Sequence, residues 1–157
     1  MKNSILFFAL ILLSWSCQNN ASTESGENEL TEEEQQYMEQ QALEKQVMEV
    51  HDAVMPKSSD LKRMERELKT YLGEDSQLDE ETKSQVEEVA NLLNKAHGEM
   101  MTWMADYGTL SSGFSKMDQK AILDALEGEK KKIDGVAASM LNSLEMGQEL
   151  LETLKQK

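Results

Sequence analysis

The sequence is poor in the residues on which many secreted and catalytic folds depend. Its 157 residues include one Cys, one Pro, eight Gly, two Trp, three Tyr and three Phe. A single Cys excludes an intrachain disulfide and a zinc site built from cysteines. One Pro and few aromatic side chains argue against an all-β sandwich, which needs many turns and β-forming residues. The length suits one domain with a single core.

Positive charge is also scarce, because 16 Lys and Arg stand against 30 Asp and Glu, for a formal net charge of −14. A surface of this sign repels phosphate backbones and anionic lipid headgroups, so no nucleic-acid partner is predicted. Catalytic motifs are missing too: the sequence has no glycine-rich phosphate loop and no His-Glu-x-x-His zinc motif. His97-Gly98-Glu99 matches the His-x-Glu of deaminases, but their Pro-Cys-x-x-Cys is absent. We therefore expect a protein that is not an enzyme.

The first residues have the features of a lipoprotein signal peptide. Lys2 is followed by an apolar run over residues 5–13, which is shorter than the ~20 residues that span a bilayer but suits a signal-peptide core. Small Ser16 precedes Cys17 as in the lipobox of bacterial lipoproteins, although Ser14 stands where Leu is usual. Ordinary secretion with cleavage elsewhere is the alternative. We predict a signal peptide over residues 1–16 and lipidation of Cys17.

Residues 17–30 are predicted to form a flexible tether after the lipid anchor. Residues 18–29 contain no large apolar side chain, so burial cannot offset the entropy lost on ordering. Gln18 is not the Asp that often retains lipoproteins at the inner membrane. We therefore expect a cell-envelope protein held at a membrane by its lipid, with the outer membrane favoured and the domain outside the cytoplasm.

Residues 31–157 are predicted to form three helices at about 31–72, 77–107 and 116–155. Capping boxes at Thr31, Ser76 and Ser115 would begin them, and Gly73 and Gly108 would end the first two. Apolar residues recur in steps of three and four, which predicts coiled-coil-like packing. The stripes are Leu43, Val47, Val50, Val54, Lys57, Leu61, Met64, Leu68 and Tyr71; Val86, Ala90, Leu93, His97, Met100, Met104 and Tyr107; and Ile122, Leu126, Glu129, Ile133, Ala137, Met140, Leu144, Gly147, Leu151 and Leu154. Short connections make the prediction an all-α, antiparallel up-down-up three-helix bundle.

Pro56 is the one irregularity in this pattern. It lacks a backbone donor and clashes one turn back, so the first helix should kink or break near residues 53–55. The apolar stripe keeps its register across this point, which favours a kink at Pro56 over a loop.

Both histidines stand among methionines. His51 lies between Met48 and Met55, and His97 precedes three methionines, namely Met100, Met101 and Met104. In a hairpin turning near residue 76, the two groups reach one level, and Glu129 lies about one turn away. Trp103 is predicted to be a core aromatic side chain packed against Ala121 and Ala125.

Three interpretations of these histidine and methionine side chains remain open. His51, His97 and Glu129 could form a structural polar layer that fixes the register of the bundle. Alternatively, a soft metal such as copper(I), which prefers thioether and imidazole ligands, could bind to His51, Met55, His97, Met100, Met101 and Met104. Haem held by one His and one Met is the third, but three helices leave little room and no Cys-x-x-Cys-His is present.

Two segments carry a resemblance to a known group. They are His51-Asp52-Ala53-Val54-Met55-Pro56 and the run from His97 through Met100-Met101-Thr102-Trp103-Met104. The chain resembles, over about residues 44–154, short Gram-negative lipoproteins commonly labelled "viral A-type inclusion protein". The resemblance implies a helical lipoprotein of unassigned function and no active-site residues. We therefore expect an interaction or structural module whose partner is an envelope protein or a second copy, with copper(I) binding as the alternative.

Overall fold

The computed structural model describes residues 30–73 and 76–156, and within these ranges every regular element is helical and no strand occurs. Four α-helices follow in order: α1 is Glu32–Val54, α2 is Ser58–Thr70, α3 is Glu80–Ser112 and α4 is Gln119–Lys155. Two single 3-10 turns, Met55–Lys57 and Phe114–Lys116, precede α2 and α4. The all-α prediction is confirmed. The predicted signal peptide, the lipidated Cys17 and nearly all of the tether lie outside the described residues.

The helix starts show which caps the sequence pattern identified. The capping box at Thr31 is confirmed, since its hydroxyl accepts from the Glu34 amide at 3.2 Å and the Glu34 carboxylate accepts from the Thr31 amide at 2.9 Å. α3 and α4 begin later than predicted, because Asp79 and Asp118 are the N-caps. Their carboxylates accept from the amides three residues on, at 2.7 and 2.8 Å. A charged acceptor makes a stronger cap than a hydroxyl, so the predicted boxes at Ser76 and Ser115 do not form.

The end of α3 was also predicted too early. Gly108 lies inside the helix, which continues to Ser112 and is capped by Gly113. A glycine lowers helix propensity by about 1 kcal/mol but stops a helix only where the backbone turns away. Beyond it, the hydroxyls of Thr109 and Ser112 donate to carbonyls of the preceding turn, at 3.0 and 2.7 Å, and support the extra length.

Pro56 lies in the 3-10 turn that divides the first predicted helix. The amide of Met55 still donates to the His51 carbonyl, and α2 begins at Ser58, whose amide donates to Met55. Pro56 cannot donate, so one bond of the α-helical ladder is lost and the chain tightens locally into a 3-10 turn. The interruption therefore falls next to residues 53–55, where the sequence predicted it.

The helices enclose one apolar core. α1 packs chiefly against α4, whereas α2 packs against α3 and, less extensively, against α4, and α3 and α4 pack along their length. Gly147 of α4 lies close to α2 and α3, since an added Cβ would lie 2.7 Å from Met64 Sδ and 3.2 Å from Leu93 Cδ1. A larger residue there would have to displace the flexible end of the Met64 side chain. The fully buried large side chains are Val47, Leu61, Leu68, Val86, Leu93, Met100, Leu126, Ile133 and Met140.

A buried carboxylate that the sequence analysis missed lies at the α2–α3 contact. Glu65 is 5% exposed and accepts hydrogen bonds from Lys62 and from Lys69, the latter at 2.7 Å. These two bonds hold the pKa of Glu65 below its usual value. Lys62 also donates to Asn94 Oδ1 at 3.0 Å, which connects α2 to α3. Lysines three residues before and four after a glutamate were the available signal, since these spacings place all three on one helix face.

Candidate functional site

Glu129 is the member of the predicted polar layer that lies in the core. It is 4% exposed, and its Oε1 accepts from Lys132 Nζ at 2.7 Å. This bond raises the pKa of Lys132, whose side chain is 64% exposed. The second carboxylate oxygen, Oε2, is buried and has no hydrogen-bond partner among the described residues. Half of a buried carboxylate is therefore unsatisfied, which is a costly arrangement.

His51 belongs to an aromatic column between α1 and α3. Its side chain is 15% exposed, and Nδ1 donates to the carboxylate of the exposed Asp52 at 2.8 Å. The His51 ring lies 5.7 Å from the Trp103 ring, centroid to centroid, and Trp103 stacks on Tyr107 at 5.1 Å. The hydrogen bond to Asp52 fixes the imidazole against the indole at the edge of the core.

Tyr107 ends this column near two carboxylates. Its pKa is raised, first by burial and then by the negative charges of Glu44 and Glu129. Glu129 therefore lies close enough to the column for its charge to act on the phenol. The column brings together His51, Trp103 and Tyr107.

His97 stands apart from this group. It is half-buried, and in residues 30–73 and 76–156 no hydrogen bond, ion pair or ring contact joins it to His51 or Glu129. Among the described residues no contact of these kinds thus joins His51, His97 and Glu129 to one another, although His51 lies in the aromatic column and Glu129 in the core. The structural role of the layer stays a prediction.

The methionines of the predicted copper set differ in burial. Met100 is fully buried and Met55 packs against the core from a partly buried position. Met101 and Met104 are 36% and 38% exposed. The structure therefore presents two of the thioethers to solvent and keeps Met100 inside. The metal hypothesis also stays a prediction, and the described residues contain no group of three or more His, Cys, Asp or Glu suited to a metal ion.

The pattern of buried positions along α3 explains why Met100 is buried and Met104 is exposed. After Leu93 the buried positions are Ala96, Met100 and Trp103, whereas the predicted stripe continued through His97, Met100 and Met104. The buried positions keep a seven-residue spacing, because Val86, Leu93 and Met100 form one series and Val89, Ala96 and Trp103 form the other. The second series follows the first by three residues, whereas the prediction placed it four residues on, at Ala90, His97 and Met104. Trp103 is a core residue as predicted, and its contact with Ala121 and Ala125 stays a prediction.

Two grooves accompany the column. One of about 660 Å³ lies between α3 and α4 and is lined by residues that include Gly98, Trp103, Lys132 and Gly135. The other, of about 570 Å³, lies between α1 and α3, which make few close backbone contacts, and includes Met48 and Tyr107. Trp103 Nε1 is buried and has no acceptor in the described part of the chain. The arrangement offers two concave surfaces, one of them lined in part by Trp103.

No family model, curated protein or solved structure matches this chain. The resemblance of the His51–Pro56 and His97–Met104 segments to short lipoproteins thus stays a prediction. Among the described helices, none combines the length and the apolar composition that crossing a membrane requires.

Proposed function

We propose that this chain is a lipid-anchored helical module of the bacterial cell envelope that acts by binding a partner and not by catalysis. In this proposal residues 1–16 are removed, Cys17 carries the lipid, and the tether separates the helices from the membrane, with the outer membrane favoured. The resemblance to the short Gram-negative lipoproteins belongs to the same proposal.

The proposed bundle runs up-down-up with coiled-coil-like packing and a kink at Pro56. Its support is the short connections over residues 71–79 and 113–118, which favour antiparallel neighbours. The 3-10 turn at Pro56 supports the kink, because a missing α-helical hydrogen bond is a common cause of one.

The observation that carries the binding role is the placement of Gly98 and Gly135 inside helices that line one groove. A Cβ added at either would meet nothing within 4 Å, in contrast to Gly147. Each such glycine costs about 0.5–1 kcal/mol relative to alanine in a helix. The packing of this chain does not require glycine at these positions, where alanine would fit and would make the helices more stable. A second chain that approaches the bare backbone closely would account for that cost.

The function is tested with the full-length chain in a Gram-negative host. The wild type should incorporate radiolabelled palmitate, sediment with membranes and give a discrete product with an amine-reactive cross-linker that does not enter the cytoplasm. Cys17→Ala should lose the label and leave the membrane fraction, because the acyl chains provide the anchoring energy. Ser16→Ala keeps a small residue before the cysteine and should behave as the wild type.

Two results would contradict the proposal. One is a wild-type chain that carries no label and remains in the cytoplasm. The other is an anchored chain that is monomeric and gives no cross-linked product in intact envelopes.

Copper(I) binding is the second candidate, and the exposed thioethers favour it. Met48, Met101 and Met104 are each more than a third exposed, and two half-buried imidazoles lie on the same helices. Thioether and imidazole groups are preferred ligands of copper(I). A partly open set of this kind could take up the ion without unfolding the core.

Copper(I) should then raise the melting temperature under anaerobic conditions. An ion at 100 times its dissociation constant stabilises a protein by about 2.7 kcal/mol. The double variant Met101→Leu, Met104→Leu should abolish the shift. The matched variant Met38→Leu, Met146→Leu also removes two exposed methionines and should keep it. Melting curves that copper(I) leaves unchanged would reject a copper role.

A further inference from the structure

The groove between α3 and α4 has an unusual lining for an open surface of a helical domain. Gly98 of α3 and Gly135 of α4 both line it, and a Cβ on either would enter empty space. Both helices therefore present bare backbone to the groove. Val136 supplies an apolar side chain, and Thr102 and Ser139 contribute small polar ones. A cylinder of helical backbone could approach here more closely than at a surface covered by longer side chains.

Trp103 forms part of the wall of the same groove. It is 5% exposed, and its indole N–H is itself buried, with no acceptor in the described ranges. Because the N–H is shielded, an occupant of the groove would meet other atoms of the indole, whose aromatic surface packs against apolar side chains.

The charged side chains on this face indicate the sign of the charge that a bound partner would carry. Asp106 lines the groove and forms no ion pair among the described residues, while Glu99 is paired only with the exposed Lys95, at 3.7 Å. The same two helices form a second groove, of about 300 Å³, where Glu88 and Glu149 likewise have no ion-pair partner in the described part. Met146 lines that groove and is 40% exposed. Lys132 also lines the first groove, where it donates to Glu129, and the charge of Asp106 helps to raise the pKa of Lys132. The face therefore combines apolar surface with more carboxylates than ammonium groups.

We infer that the α3–α4 face docks a cationic amphipathic helix of another protein. This inference rests on the proposed binding function and names the partner class and its surface. A groove between two helices accepts the apolar side of a third helix, and lysines or arginines flanking that side would reach Asp106, Glu88 and Glu149. A second copy is disfavoured as occupant, because each chain carries a formal charge of −14.

The test uses the full-length chain in nonionic detergent micelles and a synthetic probe. The probe is a fluorescein-labelled helix of about 18 residues with one alanine and leucine face and lysines on its flanks. Fluorescence anisotropy at low salt should show saturable binding that weakens as salt is added, because charge pairs at a rim are screened. A peptide with glutamate in place of lysine, and empty micelles, serve as controls.

Gly135→Leu would fill the groove, and we expect it to weaken binding by at least about tenfold, or 1.4 kcal/mol. Gly108→Leu is the matched control, since Gly108 is also a helical glycine in open space but does not line either α3–α4 groove. It should bind as the wild type. Both variants should melt at or above the wild-type temperature, because leucine is the better helix former. Asp106→Asn should weaken binding and reduce its salt dependence.

Three results would overturn the inference. They are no binding of the lysine probe, equal binding of the glutamate probe, and equal binding by the wild type and Gly135→Leu. If one of these results is found but the wild-type chain still gives a cross-linked product in intact envelopes, the binding function stands and the partner docks on another face. If the product is absent as well, both proposals fail.

Discussion

Replacing Trp103 with alanine is expected to lower the free energy of unfolding by about 3–5 kcal/mol. The indole is 5% exposed, stacks on Tyr107 and contacts His51, so its removal leaves a cavity and breaks the column between α1 and α3. For a chain of this size the loss corresponds to a fall in melting temperature of about 10 °C. Urea unfolding monitored by circular dichroism measures it directly.

Met104→Ala is the matched control for this experiment. Met104 is 38% exposed, and exposed positions away from special features usually change stability by less than about 0.5 kcal/mol. Equal losses for the two variants would show that Met104 is a core residue and would contradict the packing of α3. Trp103→Phe separates the two properties of the indole, since phenylalanine keeps much of the volume and removes the N–H that has no acceptor.

The comparison of Trp103 with Met104 shows what the sequence pattern could and could not predict. Spacing of three and four predicted the helical segments, although α1 and α2 were predicted as one helix, and placed Val47, Leu61, Leu126 and Ile133 correctly in the core. It could not say whether the second apolar series of α3 runs through Val89 or through Ala90, because both are apolar and the choice depends on which neighbour the helix contacts.

The N-cap of a helix was predictable where no second capping side chain stood nearby. Thr31 and Glu34 formed the expected box because no stronger cap stood nearby. At the other two starts an aspartate three residues on outcompeted the serine, and the choice between a hydroxyl and a carboxylate depends on where the chain leaves the preceding turn.

The candidate site was less predictable than the fold. The burial of Glu129 followed from its stripe position, whereas the common level of His51 and His97 stays a prediction. The tilted contact of His51 with Trp103, and the open space above Gly98 and Gly135, depend on side-chain rotamers and on the gap between helices. A sequence does not carry these distances in any local pattern, since they arise only when three helices pack together.

Replacing Glu129 with methionine is expected to raise the free energy of unfolding by about 1–2 kcal/mol. The carboxylate is 4% exposed, one of its oxygens has no partner among the described residues, and its single bond is to an ammonium that stays in solvent. Methionine fills a similar volume with a flexible apolar chain. Chemical unfolding of the variant and the wild type at pH 7 measures the difference.

Glu65→Met is the comparison that makes the result interpretable. Glu65 is also buried, at 5% exposure, but lysines on both sides of it satisfy its carboxylate. Removing it loses two charge-assisted hydrogen bonds, so we expect no gain and a loss of about 1 kcal/mol. If Glu129→Met instead destabilised the chain as much as Glu65→Met, the carboxylate of Glu129 would have to be bonded in solution. The unsatisfied oxygen would then have a partner such as buried water, and the structural polar layer would gain its first experimental support.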